Sequence, residues 1–157
     1  MRETILGHAS QPATSSSNEW LGVEAIAGIG VTSEAEDAPI ENVLYPDREA
    51  GWRAGEPGSQ IIQITFGGPT NIRHIQLLFR ESQFARTQEF TQRCAVAGED
   101  RREVTRQQWT FSPQGSTEEL EDYHVTLDDV TVLELEIIPD ISKGGLHPSF
   151  ACASVSA

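Results

Sequence analysis

Hydrophobic and polar residues alternate along most of the chain after Trp20, with a period of two residues. Successive side chains of a β-strand point to opposite faces, so this alternation predicts strands with one buried face. No segment carries a sustained helical stripe, and the best helical candidate is the short stretch Pro39–Leu44. The alternating positions are Ile62, Ile64 and Phe66; Ile75, Leu77 and Phe79; Phe90, Cys94 and Val96; Trp109 and Phe111; Tyr123, Val125 and Leu127; and Leu133, Leu135 and Ile137.

The number and punctuation of these segments predict the fold class. Seven or eight short strands separated by Gly, Pro and Asp are typical of an antiparallel sandwich or barrel. The last run, Phe150–Val155, has no neighbouring strand nearby in sequence, so we expect it to pair across the fold. That arrangement is typical of a jelly roll. We therefore predict an all-β, antiparallel jelly-roll β-sandwich of about eight strands.

The length of 157 residues corresponds to one compact domain. Residues 1–19 are polar and small, and Gln11–Asn18 has the composition of a low-complexity linker. We expect a partly disordered segment over residues 1–19 and a β-sandwich domain over residues 20–157.

The net charge, 11 − 24 = −13, bears on the choice of partner. Nucleic-acid affinity depends largely on cationic side chains, and anionic membranes repel an acidic protein. A local arginine patch could outweigh the global balance, but we expect neither nucleic acid nor a membrane as partner. The acidity is explained more simply by solubility.

Three features that the sequence lacks bear on the cellular compartment of the protein. No apolar run approaches the ~20 residues of a membrane span. The first residues show no charged and apolar regions of a signal peptide, which favours a cytoplasmic location over export. Cys94 and Cys152 lack metal-binding spacing, and we expect free thiols, with a disulfide between them as the alternative.

The sequence gives no positive case for an enzyme. It contains no Gly-x-Ser-x-Gly, no phosphate-binding glycine loop and no His-Glu-x-x-His. His74 and His124 lie within predicted strands, where a structural or exposed role is the simpler interpretation. Adjacent acidic residues such as Asp128 and Asp129 point apart in a strand, so they do not predict a general acid and base.

A binding site is better supported, by the polar stretch between two predicted strands. This stretch combines arginines, a carboxylate and an aromatic ring, the groups that bind sugar hydroxyls and stack on sugar rings. The candidate residues are Arg80, Glu81, Phe84 and Arg86. The alternative is a solvated hairpin in which Arg86 ties the loop to backbone carbonyls.

A second loop, Asp140–Phe150, contributes His147 and Phe150 to the candidate site. Its glycine pair allows it to converge on the first loop, and it holds the only lysine, Lys143. Alternatively, Phe150 is the first core residue of the last strand. The tryptophans Trp52 and Trp109 are both expected in the core.

Several stretches together resemble the discoidin, or coagulation-factor type C, domain family of the galactose-binding-like superfamily. The resemblance covers residues 20–157 and rests on Ala38–Trp52, Gln60–Gly67, Ile72–Leu77, Arg86–Phe90, Cys94–Gly98 and Trp109. It implies a jelly-roll sandwich whose loops at one end bind glycans, often beside a structural calcium ion.

Calcium is implied by the resemblance, but this chain departs from the calcium-binding pattern. Asp47 stands where the family's calcium-loop aspartate falls, and is followed by Arg-Glu-Ala-Gly-Trp instead of the usual order. The end of the chain, Ala151–Ala157, has no carboxylate side chain. A hard cation needs about six to eight oxygens. We therefore expect no metal and no cofactor, with Asp47 as the remaining candidate ligand.

A resemblance to a second kind of protein leaves the class of ligand open. Glu41–Ala54 is also similar to the amino-terminal domain of the eukaryotic single-strand-break repair scaffold, which binds protein and nicked DNA. The leading hypothesis is a non-catalytic carbohydrate-binding module. The alternative is a protein-interaction subunit or scaffold domain of the same fold, without sugar binding.

Overall fold

The computed structural model describes residues 20–45, 47–142 and 145–157. Within these residues, helical structure consists of the 3₁₀ turns Val23–Ala25 and Ile40–Leu44. The eight strands of the described residues are β1 (Ile26–Val31), β2 (Trp52–Arg53), β3 (Gln60–Arg80), β4 (Arg86–Val96), β5 (Arg102–Phe111), β6 (Glu118–Ile138), β7 (Ser149–Phe150) and β8 (Cys152–Ser156). The segment 1–19, for which partial disorder is predicted, lies outside the described residues.

Two long strands, β3 and β6, organise the fold. Each has 21 residues, far more than the usual ~5–6. Their pairing register shifts between Thr65 and His74. At this corner Asp129 adopts a left-handed conformation with φ of 58°, and its N–H donates to Asn71 Oδ1 at 3.1 Å. Each strand therefore bends and contributes to two layers.

The two layers form an antiparallel sandwich. One layer has the order β1-β3-β6-β4-β5, and the other is formed by β8, the second half of β3 and the first half of β6. Phe79 of the three-stranded layer stacks on Phe90 of the five-stranded layer at 5.3 Å between ring centroids. The all-β antiparallel prediction is confirmed, and β8 pairs across the fold with β3 as expected.

Cys94 is buried, Cys152 is half-buried, and both are free thiols.

The prediction that Trp109 lies in the core is wrong, because this residue is 39% exposed on β5. This strand is the outermost of the five-stranded layer, and the opposing layer has only three strands to cover it. None of the described helices is long and apolar enough to span a membrane.

Candidate ligand-binding cleft

The two loops singled out in the sequence meet in one cleft of about 430 Å³, here called the Arg80 cleft. One wall is the connection 81–85 between β3 and β4, and the other is the segment 145–149 that leads into β7. Four of the six predicted site residues line it, namely Arg80, Glu81, Phe84 and His147. Lys143 and Gly144 of the second loop lie outside the described residues.

The carboxylate of Glu81 shapes the first loop. Its Oε2 accepts hydrogen bonds from the backbone N–H groups of Gln83 at 2.9 Å and Phe84 at 3.2 Å. Its Oε1 accepts from Arg86 Nε at 2.9 Å. These bonds fix the turn in which the ring of Phe84 is 49% exposed.

Arg86 lies beneath the cleft and does not line it. Its side chain is 0% exposed, and Nη1 donates to the Pro139 carbonyl at 3.0 Å and to Gln88 Oε1 at 3.2 Å. Burial lowers the pKa of the Arg86 guanidinium, and the charge of Glu81 opposes that shift. This corrects the assignment of Arg86 as a ligand contact: it ties the loop to a backbone carbonyl, as the alternative interpretation proposed.

Phe150 is likewise a core residue, 3% exposed, which corrects its assignment to the ligand surface. It pairs with Trp52 between β7 and β2 and stacks on Phe79 at 4.9 Å between centroids. Gly51, the residue before Trp52, has φ of +59°, and a Cβ there would lie 2.7 Å from the Phe150 carbonyl oxygen. Only glycine fits this close approach, which brings β2 against β7 at the base of the cleft.

Two of the predicted site residues, Arg80 and His147, are exposed polar groups of the cleft. Arg80 is 48% exposed at its side chain, and its Nε donates to Glu118 Oε2 at 3.0 Å, so its terminal nitrogens supply further N–H donors. His147 Nδ1 lies 3.0 Å from the Ala54 carbonyl oxygen. A carbonyl accepts only, so Nδ1 carries the proton and Nε2 of the neutral ring is an acceptor.

Sequence reasoning missed four polar residues that line the cleft, namely Arg53, Ser82, Gln83 and Ser149. Ser82 and Gln83 stand between the assigned Glu81 and Phe84, and their place in the same loop was the available signal. Arg53 and Ser149 face each other in the pairing of β2 with β7, which the sequence did not predict. Among the described residues, Asp47 is exposed and belongs to no group of three potential metal ligands.

Comparison with known proteins supports the fold. No protein-family model matches the chain, and no curated protein matches it. A family 32 carbohydrate-binding module (CBM32-3) from a family 31 glycoside hydrolase of Clostridium perfringens superposes with a TM-score of 0.66 and 15% identity, covering 88% of this chain and 94% of that one. The family 32 module of C. perfringens NanJ, solved with galactose, gives 0.62 and 12%, covering 88% and 98%.

A third solved structure has a different binding partner. Reduced XRCC1 bound to the catalytic domain of DNA polymerase β superposes with a TM-score of 0.65 and 11% identity, covering 88% of this chain and 99% of that one. These likenesses confirm the β-sandwich fold predicted from the sequence. At this level of identity they concern the fold alone.

Proposed function

We propose that this chain is a non-catalytic carbohydrate-binding module whose ligand lies in the Arg80 cleft. The observation that carries the proposal is the meeting of two separate loops around an aromatic ring, a guanidinium and an imidazole. The cleft volume of about 430 Å³ falls within the range of small-ligand sites. The likeness of the fold to carbohydrate-binding modules supports the same conclusion.

A sugar presents an apolar ring face and a rim of hydroxyls, and the cleft offers a partner for each. The half-exposed ring of Phe84 stacks on the apolar face. Arg80 donates hydrogen bonds from its N–H groups to hydroxyl oxygens, and His147 Nε2 accepts a hydrogen bond from a hydroxyl group. Ser82 and Gln83 add a hydroxyl and an amide beside the ring.

Glu81 has a positioning role in this proposal. Both of its carboxylate oxygens are already bound, one by loop N–H groups and one by Arg86. It therefore holds Phe84 in place, and its loss would act on the ligand through the shape of the loop.

The second candidate function is a protein-interaction module. The observation that favours it is Trp109, which is 39% exposed on the outermost strand β5 and does not line the cleft. XRCC1 provides a protein of the same fold bound to a protein partner. A nucleic-acid partner is not expected, because the chain has a net charge of −13 and nucleic-acid affinity depends largely on cationic side chains.

A glycan array, followed by titration of the best-binding glycan, tests the carbohydrate proposal. We expect Arg80→Ala to weaken binding at least about tenfold, equivalent to about 1.4 kcal/mol. The matched control is Arg106→Ala, because Arg106 is similarly exposed (51% against 48%) and also forms an ion pair, but lies on β5. We expect this control to bind like wild type.

Absence of binding to any glycan at high concentration would contradict the carbohydrate proposal and favour the protein-interaction module. Equal losses in Arg80→Ala and Arg106→Ala would contradict the placement of the site in the cleft.

A further inference from the structure

Two histidines and an aspartate gather on the outer face of the three-stranded layer. His74 of β3 is directly opposite His124 of β6, and Asp122 precedes His124 by two residues on the same face. The two imidazoles stack with centroids 4.3 Å apart, and His74 Nε2 is hydrogen-bonded to Asp122 Oδ1. One potential ligand atom from each residue lies within 4.8 Å of the other two.

This group is separate from the Arg80 cleft. His74 and Arg80 are six residues apart on β3, which corresponds to about 20 Å along an extended strand. The inference below therefore does not depend on the proposed carbohydrate function.

The inner side of the group is buried and holds polar atoms without hydrogen-bond partners. The side chain of His74 is 12% exposed, and the ring of Trp20 lies 4.7 Å from it between centroids. His74 Nδ1 has no hydrogen-bond partner, and neither has the Oγ of the buried Ser156, which is opposite His74 on β8. Such atoms cost about 1–3 kcal/mol each. Burial and the ring of Trp20 hold His74 in place, with its Nε2 edge turned toward Asp122.

The charges suit a cation. An ionised carboxylate beside two imidazoles is a donor set for zinc and similar transition metals. Calcium and magnesium instead prefer sites built from oxygen atoms.

We propose that His74, Asp122 and His124 form a binding site for a zinc-type divalent metal ion. Tetrahedral zinc, with bonds of about 2.0–2.2 Å, requires ligand atoms about 3.3 Å apart. Asp122 and His124 are exposed, so rotation of their side chains can bring the ligand atoms to this spacing, whereas His74 is held by Trp20. The ion takes the place of the proton between His74 and Asp122, which leaves to solvent, and the fourth position is open to water.

This site departs from the expectation of no metal. Its members belong to two strands, and His74 is 48 residues from Asp122. The signal in the sequence was Asp122-Tyr-His124, whose first and third residues share one face of a strand.

The test is a titration of tag-free protein with Zn²⁺ by calorimetry and with Co²⁺ by visible absorption. We expect one ion per chain, a Co²⁺ spectrum typical of tetrahedral coordination, and a higher melting temperature with Zn²⁺. The His124→Ala and Asp122→Asn variants change exposed side chains that are ligands, so each should weaken binding by at least the tenfold to hundredfold, roughly, that loss of a ligand's outer hydrogen-bond partner costs. The control His147→Ala, in the cleft, should bind the metal like wild type.

Three results would overturn the proposal: no stoichiometric binding to wild type, wild-type affinity in His124→Ala, or equal losses in His124→Ala and His147→Ala. The melting temperatures of the metal-free variants show whether each has folded. The experiment contains no glycan, so its failure is distinguishable from failure of the carbohydrate proposal.

Discussion

The floor and the rim of the Arg80 cleft each contain an arginine–glutamate pair, and the two pairs differ in their exposure to water. On the floor, Arg86 Nε lies 2.9 Å from Glu81 Oε1, with side chains 0% and 13% exposed. On the rim, Arg80 Nε lies 3.0 Å from Glu118 Oε2, with side chains 48% and 59% exposed. The distances are nearly equal, so solvent decides what each pair does.

A buried charge that loses its partner is strongly destabilising, whereas an exposed pair contributes about 0–1 kcal/mol. The floor pair therefore holds the loop in one geometry. The rim pair can exchange one of its partners for a ligand at little cost. In this cleft, exposure distinguishes the residues that build the site from those that bind.

We expect the largest effect on the free energy of unfolding from removal of Arg86, the arginine on the floor of the cleft. Arg86→Ala leaves the Glu81 carboxylate largely buried without its cation and should lower the free energy of unfolding by about 3–5 kcal/mol. Denaturant unfolding followed by fluorescence measures this value. Should this variant fail to fold, Arg86→Lys keeps the charge and should lose less. A free energy of unfolding within about 1 kcal/mol of wild type for Arg86→Ala would show that the floor does not hold the loop.

The neighbouring residues Glu118 and Glu119 show the same contrast between an exposed and a buried side chain. Glu119 is 2% exposed, and its burial, with a further contribution from Glu121, raises its pKa from 4.5 to about 9. The folded protein keeps a proton that the unfolded chain releases above about pH 4.5. The contribution of this bound proton to the stability of the folded protein is therefore complete below about pH 4.5 and declines as the pH rises toward 9.

We expect Glu119→Gln to remove most of this pH dependence and to stabilise the protein by a few kcal/mol at pH 8. Unfolding measured at several values between pH 5 and pH 9 checks the slope. The control Glu118→Gln changes the neighbouring exposed side chain and should keep the wild-type slope. An unchanged slope in Glu119→Gln would mean that Glu119 is ionised in the folded protein.

The smallest effect on stability is expected at the rim. Arg80→Ala removes an exposed ion pair and should change the free energy of unfolding by less than about 1 kcal/mol. The same denaturant experiment measures it beside Arg106→Ala. A loss as large as that of Arg86→Ala would place Arg80 among the structural residues.

The sequence predicted the two loops that form the cleft, but it could not show which of their side chains the pairing of distant strands buries. Arg80, Glu81 and Phe84 belong to one short segment, so their proximity follows from the chain itself. The burial of Arg86 depends on Pro139, which lies 53 residues away. One segment therefore contained both rim and floor residues, and periodicity alone could not separate them.

The strands show the same limit. Alternation predicted an antiparallel sandwich because burial of one face requires a period of two. It could not show that Trp109 stands at the uncovered edge of the wider layer, since that depends on the order of the strands. The pairing of His74 with His124 depends on the register between β3 and β6, which shifts at the corner of the sandwich.

The most direct test of the carbohydrate proposal is a two-dimensional ¹H–¹⁵N NMR titration of the protein with the best-binding glycan from the array. We predict saturable shifts of the backbone amides of Ser82, Gln83, Phe84 and His147, with the amides of β5 around Trp109 unchanged. No glycan-dependent shifts at the cleft, or shifts centred on β5, would contradict the assignment of the Arg80 cleft as a carbohydrate-binding site.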